Sequence, residues 1–299
     1  ALSGAGLDRC TAIYTDSEWD YWGGNLDDAF RLPHFATVHD APFRAPAWAH
    51  ETATALDATE HPIAHAIHVA AHRLGRGGAE VCVGADPIPS LAEALASLRT
   101  TFGQSTDAAD LADELADVPQ DLQDALAPIV RAIEAAAVAR DAAIASYGGQ
   151  PIDLYETIYT LILFRQGPGL SLDAGTQEFL ANGFDAAAIY EAATRLALTI
   201  ESAALGRFER ATGFDVDLAT PLGRVVIRDV GDDTYEPATF DEAYALIVDT
   251  GGNDTYRVAA GATTTVDSRV SVAIDLEGND TYGYLENPHP YDEARLASD

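Results

Sequence analysis

The chain has no lysine, no methionine and only two cysteines in 299 residues. Its 17 basic residues are therefore all arginine, set against 48 acidic ones, for a formal charge of −31. A surplus of that size repels nucleic acid and anionic membrane surfaces and attracts divalent cations, so no nucleic-acid partner is expected. There is also no run of about 20 apolar residues, the length a membrane-crossing helix needs, and membrane insertion is not expected. The longest candidate, residues 158–164, is far too short.

Cys10 and Cys82 are too few for a zinc knuckle and too far apart for a redox dithiol motif. In an oxidising compartment they most simply form one disulfide; two buried thiols are the alternative. Without methionine there is no initiator residue, and the small residues of Ala1-Leu2-Ser3-Gly4 suit the cut left by a removed signal peptide, or else a trimmed chain. A secreted or cell-surface protein is the expectation. Abundant Ala and Asp with Arg in place of Lys also fits a salt-adapted protein whose carboxylates keep its surface hydrated.

Three stretches differ in pattern. Residues 1–56 are rich in Trp, Tyr, Pro and Asp without a sustained period, and read as an irregular aromatic-rich segment packed on something larger. Residues 57–213 read as a helical, bundle-like domain. Pro62 at a first helical position, after Asp57 and Thr59 as caps, opens a helix that Gly75-Arg76-Gly77-Gly78 closes. Further helices are expected at about 90–102, 107–117, 119–146, 151–165, 173–182 and 185–212. Leu122, Leu126, Ile129 and Ile133 mark one buried stripe, in a helix that Pro128 kinks or splits.

Beyond Gly213 short β-branched runs take over, Val225-Val226-Ile227, Leu246-Ile247-Val248 and Val270-Ser271-Val272-Ala273-Ile274, each followed by a glycine-and-acid turn. The expected fold class is thus segregated α+β, with a short parallel β-solenoid over residues 221–299. The three turns align as Arg228-Asp229-Val230-Gly231-Asp232-Asp233-Thr234-Tyr235, Asp249-Thr250-Gly251-Gly252-Asn253-Asp254-Thr255-Tyr256 and Asp275-Leu276-Glu277-Gly278-Asn279-Asp280-Thr281-Tyr282. A unit that recurs after 21 and then 26 residues, with a strand before each turn, is the mark of a coil that stacks rung on rung.

Calcium takes six to eight hard oxygens, and stacked turns offer carboxylates from one rung and carbonyls from the next. Asp232, Asp233, Asp249, Asn253, Asp254, Asp275, Asn279 and Asp280 are the candidate calcium ligands. Tight Asx turns, with the same acids bonding their own backbone and no metal, are the alternative. Thr and Tyr after each Asp should resume the strand, one of the two packed inside. Gly252-Asn253-Asp254-Thr255-Tyr256 and Gly278-Asn279-Asp280-Thr281-Tyr282 resemble the hemolysin-type, or RTX, calcium-binding repeats, which place glycines and then an Asp ahead of an apolar strand position. The resemblance implies a calcium-loaded coil outside the cell. The chain departs from that pattern in its longer period, in Val230 and Glu277 standing in the column of Gly251, and in Arg228 standing where the other turns have Asp249 and Asp275. Capping of the coil is expected from the helical domain and the tail around Tyr284 to Tyr291, or from further rungs of the same precursor.

A second feature is the histidine stripe His61, His65, His68 and His72, half of the chain's eight histidines. On a helix the last three share a face within about 60°. That spacing suits zinc or copper, with Glu51 or Glu60 as a nearby base, although the ordered zinc-protease signature is absent. A polar helix face and a pH-sensitive latch are the other readings of the stripe. Two functions follow. The first is a secreted or surface calcium-binding protein with a structural, adhesive or recognition role toward an extracellular polysaccharide or protein. The second is a secreted metal-dependent, hydrolase-like enzyme built on the histidines.

Overall fold

The computed structural model describes residues 44–57, 60–76, 89–154, 174–236, 243–263 and 268–283. Cys10, Cys82, the aromatic cluster of Tyr14 to Trp22 and the tail from Tyr284 lie outside the described residues. The architecture is α+β, helices first and strands after.

The helices are α1 (Ala45–Asp57), α2 (Pro62–Arg73), α3 (Leu91–Thr101), α4 (Ala108–Glu114), α5 (Gln120–Ile144), α6 (Ala174–Glu178) and α7 (Ala186–Ser202). Each boundary has a local cause. Ser90 and Glu93 form a reciprocal capping box at the start of α3. Asp107 caps α4 through the Ala109 N–H at 2.9 Å. Gly75 (φ 67°) ends α2 with paired bonds from its own N–H to His72 O and from Arg76 N–H to Ala71 O. That left-handed terminator favours glycine because a Cβ is strained there.

Four expectations change. Ala45–Asp57 is helical rather than irregular. The first N–H groups of α2 are satisfied by Glu201, at 2.7 Å from Ile63 N and 3.0 Å from Ala64 N, and not by Asp57, which belongs to α1. Pro128 sits inside α5 without splitting it. Helix α7 stops at Ser202 instead of near 212, because Ala204 takes a left-handed conformation (φ 50°) and a short 3-10 turn, Leu205–Phe208, follows. Between α6 and α7, Phe179–Gly183 forms one π-helical turn.

The strands are β1 (Asp215–Thr220), β2 (Gly223–Arg228), β3 (Thr234–Tyr235), β4 (Tyr244–Asp249), β5 (Thr255–Tyr256), β6 (Val272–Asp275) and β7 (Thr281–Tyr282). They form two sheets, ordered β1-β2-β4-β6 and β3-β5-β7. β1 runs antiparallel to β2, and all other pairs are parallel. Each repeat is a long strand, a turn and a short strand. The register places Arg228, Asp249 and Asp275 in one column and Tyr235, Tyr256 and Tyr282 in another, as the three turns align in sequence.

The larger sheet lies between two apolar layers, which is why all six residues of β4 are buried and its sequence does not alternate. Val225, Ile227, Leu246 and Val248 join the cluster formed by Leu95, Leu98, Leu122, Leu126, Ile129 and Ile133 of the helices. Val226 and Ile247 face the other way, onto Tyr235, Tyr256 and Val258. One apolar core thus crosses from helices to sheet. Arg99 adds a polar tie, donating to the Ala219 carbonyl of β1 at 2.7 Å. Among the described residues no helix is long and apolar enough to cross a membrane.

Candidate metal centre

The glycine column sets the spacing of the turns. Gly252 (φ 140°) and Gly278 (φ 158°) approach the preceding repeat so closely that a Cβ would fall 2.2 Å from Gly231 O and 2.1 Å from Gly252 O. Only a residue without a side chain lets the turns stack at strand distance.

On either side of the peptide that follows, the acids do different work. In the exposed column, Asp232 Oδ1 accepts from Asn253 N–H (2.8 Å), and Asn253 Oδ1 accepts from Asn279 N–H (3.2 Å). In the next column the direction reverses. Asp254 Oδ1 accepts from Asp233 N–H (2.6 Å), and Asp280 Oδ1 accepts from Asp254 N–H (2.9 Å). Asp232, Asn253 and Asn279 therefore knit successive turns together from the exposed side. Asp232 belongs to neither of the carboxylate clusters described next.

Asp233, Asp249 and Asp254 form one cluster, in which one carboxylate oxygen from each lies within 4.8 Å of the other two. Asp254, Asp275 and Asp280 form a second at the same spacing. Oxygens bound to one calcium at about 2.3–2.6 Å can be up to about 5 Å apart, so either cluster fits around a single ion. The two are the same arrangement displaced by one repeat, and Asp254 belongs to both. It is only 1% exposed, and its Oδ2 has no hydrogen-bond partner. A buried anion in that condition is costly unless a cation meets it.

Electrostatics agree with the geometry. Burial pushes the Asp254 carboxyl up to about 7, against the lowering effect of the Asp233 N–H, and the charges of Asp249, Asp280 and Asp233 raise it further. Asp249 is pushed up to about 6 by burial, opposed by donors from Tyr235 and the Gly251 N–H. Burial also raises Asp233 and Asp275, with Arg228 opposing at Asp233 and Tyr282 at Asp275.

The three tyrosines of the smaller sheet stack face to face, with centroids 4.6 Å apart and ring planes within 3°; Tyr235 and Tyr256 are buried and Tyr282 is exposed. Their hydroxyls reach the acids. Tyr235 donates to Asp249 Oδ2, while Tyr256 (3.2 Å) and Tyr282 (2.9 Å) both donate to Asp275 Oδ2. Neutral donors of this kind orient carboxylates around an ion without cancelling their charge. Tyr at a fixed offset from Asp in every turn is the sequence signal for this role. Glu277, one of the departures in the glycine column, makes a two-pronged pair with Arg210.

The histidines are placed differently. His65 Nε2 lies 2.6 Å from the Ala55 carbonyl of α1, and His68 meets His72 edge-on with ring centroids 4.8 Å apart. The deepest positions on α2 are Ala64 and Ala71, and Ile63 is exposed. Among the described residues, the clusters of three or more metal-ligating side chains consist of carboxylates alone. No family model, no curated protein and no solved structure matches the chain.

Proposed function

We propose that the stacked repeats are a short parallel β-solenoid that binds divalent cations, calcium foremost, in a secreted or surface protein with a structural, adhesive or recognition role. The observation that carries this reading is the recurrence of one three-carboxylate cluster at two successive repeats, with the buried, unpartnered Oδ2 of Asp254 common to both. Hard carboxylate oxygens on a hydrogen-bonded backbone suit calcium, whereas zinc and copper draw on imidazole and thiolate. In this reading the helical layer gives the coil a rigid support on one face, and the cations relieve the repulsion among its acids.

Calorimetric titration of the full chain with calcium, after treatment with a chelator, tests this directly. Two calcium ions per chain are expected. An ion at a hundred times its Kd stabilises the fold by about 2.7 kcal/mol, which raises Tm by roughly 5–10 °C. A titration without heat, together with a melting curve that neither calcium nor chelator moves, would leave salt adaptation as the better account of the acidity.

A further inference from the structure

The column that supplies Asp249 and Asp275 to the two clusters begins with Arg228. Its guanidinium does not turn away from the row. It pairs with Asp215 of β1, lies 3.9 Å from Asp233 of its own repeat, and is 4.0 Å from Asp217. The surroundings of Arg228 reproduce those of a cluster. Each cluster has the last acid of the preceding turn, a side chain at the head of its own turn and the acid five positions on. At the first repeat Asp233 is the acid five positions on, Asp215 of β1, in register with Arg228 itself, takes the place of an acid from a preceding turn, and a positive side chain fills the middle.

Resting on the calcium reading above, we infer that the row along the coil has three cation places, the first held permanently by the guanidinium of Arg228 and the other two by divalent ions that share Asp254. The guanidinium is a tethered cation that ends the row where the antiparallel β1 closes the sheet. A metal ion needs a carboxylate at the middle position, and Arg228 removes it while supplying charge of the right sign. Asp233 is then divided between a fixed cation and an exchangeable one. Arg228 therefore opposes the ion in the first cluster by direct repulsion, and acts more weakly on the second cluster, one repeat further away.

Calcium titration of the full-length wild type, Arg228→Asp and Arg228→Gln tests the assignment. Wild type should take up two ions, and Arg228→Asp three, because the substitution completes a cluster with Asp215 and Asp233. Arg228→Gln should still take up two, one of them on the order of tenfold more tightly, since the competing charge is gone. A folded Arg228→Asp chain, judged by circular dichroism, that takes up only two ions overturns the inference. Should that variant not fold, Arg228→Gln decides alone: tighter binding supports the tethered cation, and unchanged or weaker binding shows Arg228 to be only a structural partner of Asp215. A wild type that takes up no calcium is a different failure, and overturns the cation reading itself.

Discussion

Asp254 is held by its neighbours in a state that water would not tolerate. Its carboxyl is buried, one oxygen is tied to the Asp233 N–H, and four other acids crowd the two clusters it joins. The metal-free consequence follows from proton linkage. Asp249 and Asp254 have carboxyls near 6 and 7 in the folded chain against 3.8 as the ordinary value, so between about pH 4 and pH 7 the folded state holds more protons than the unfolded one. Stability must then fall as pH rises through that window, the reverse of the usual behaviour of a paired carboxylate. With chelator present, the chain should melt at a higher temperature at pH 5 than at pH 8, and excess calcium should reverse the order. Asp254→Asn separates this effect from the general acidity. It keeps an acceptor for the Asp233 N–H but removes the buried charge. The metal-free melting point at pH 8 should rise by about 2–4 °C, for about 1 kcal/mol, and calcium uptake should be lost at both clusters. A variant that melts lower without metal, or that still binds one ion at wild-type affinity, would show that Asp254 is neither strained nor shared.

Stacking at the level of the elements depends on glycine in one column, and the column contains its own control. Gly252 and Gly278 each sit on the backbone of the preceding repeat, while a Cβ on Gly231 would meet nothing nearer than 3.4 Å, its own Asp229. Gly252→Ala and Gly278→Ala should each cost about 2–4 kcal/mol, from left-handed strain and from pushing two turns apart, whereas Gly231→Ala should stay within about 0.5 kcal/mol. Denaturant unfolding of the three variants checks the ranking. Equal losses would mean that glycine acts through chain flexibility and not through contact. The same column shows what was legible beforehand. Aligning the turns by residue type matches the register of the parallel strands at the turns, because the glycine that must stack and the tyrosine two residues after each Asp mark the phase. The 3.6-residue stripe of α5 was legible for the same kind of reason: Leu122, Leu126, Ile129 and Ile133 have one face to bury. What could not be read depended on distant partners. Glu201 caps a helix through Ile63, 138 residues earlier, and the pairing of Arg228 with Asp215 and Asp217 depends on β1. The separation of an exposed column from a clustered one depends on the turn conformation, which leaves Asp232 and Asn253 exposed and takes Asp233 and Asp254 inward.

At the scale of the whole molecule, the strand repeats and the helices do not part where the sequence pattern changes near residue 214. Phe214 just before β1, Val216 and Leu218 of β1 and the outward residues of β2 and β4 bury themselves in the same cluster as α3 and α5. Stability along the stacked repeats is consequently graded. β4 is buried on both faces, β6 is partly exposed, and β7 is exposed, with Tyr282 at 62%. Removing calcium should therefore not release residues 221–283 as one piece. Backbone amides of β2 and β4 draw their protection from the shared core, while the turns 249–256 and 275–282 draw theirs from hydrogen bonds to side chains, several of them acids that repel one another. Hydrogen exchange of the full chain with calcium and with chelator distinguishes the cases. The expected pattern is faster exchange at Gly252 to Tyr256 and Gly278 to Tyr282, with β2, β4 and α5 unchanged. Loss of protection through α5 in the same step would mean that the cations hold up the common core rather than the outer turns. No change anywhere would mean that the carboxylate clusters carry no ion. The graded outcome alone fits stacked repeats whose inner strands are fixed by apolar burial and whose outer turns are fixed by charge.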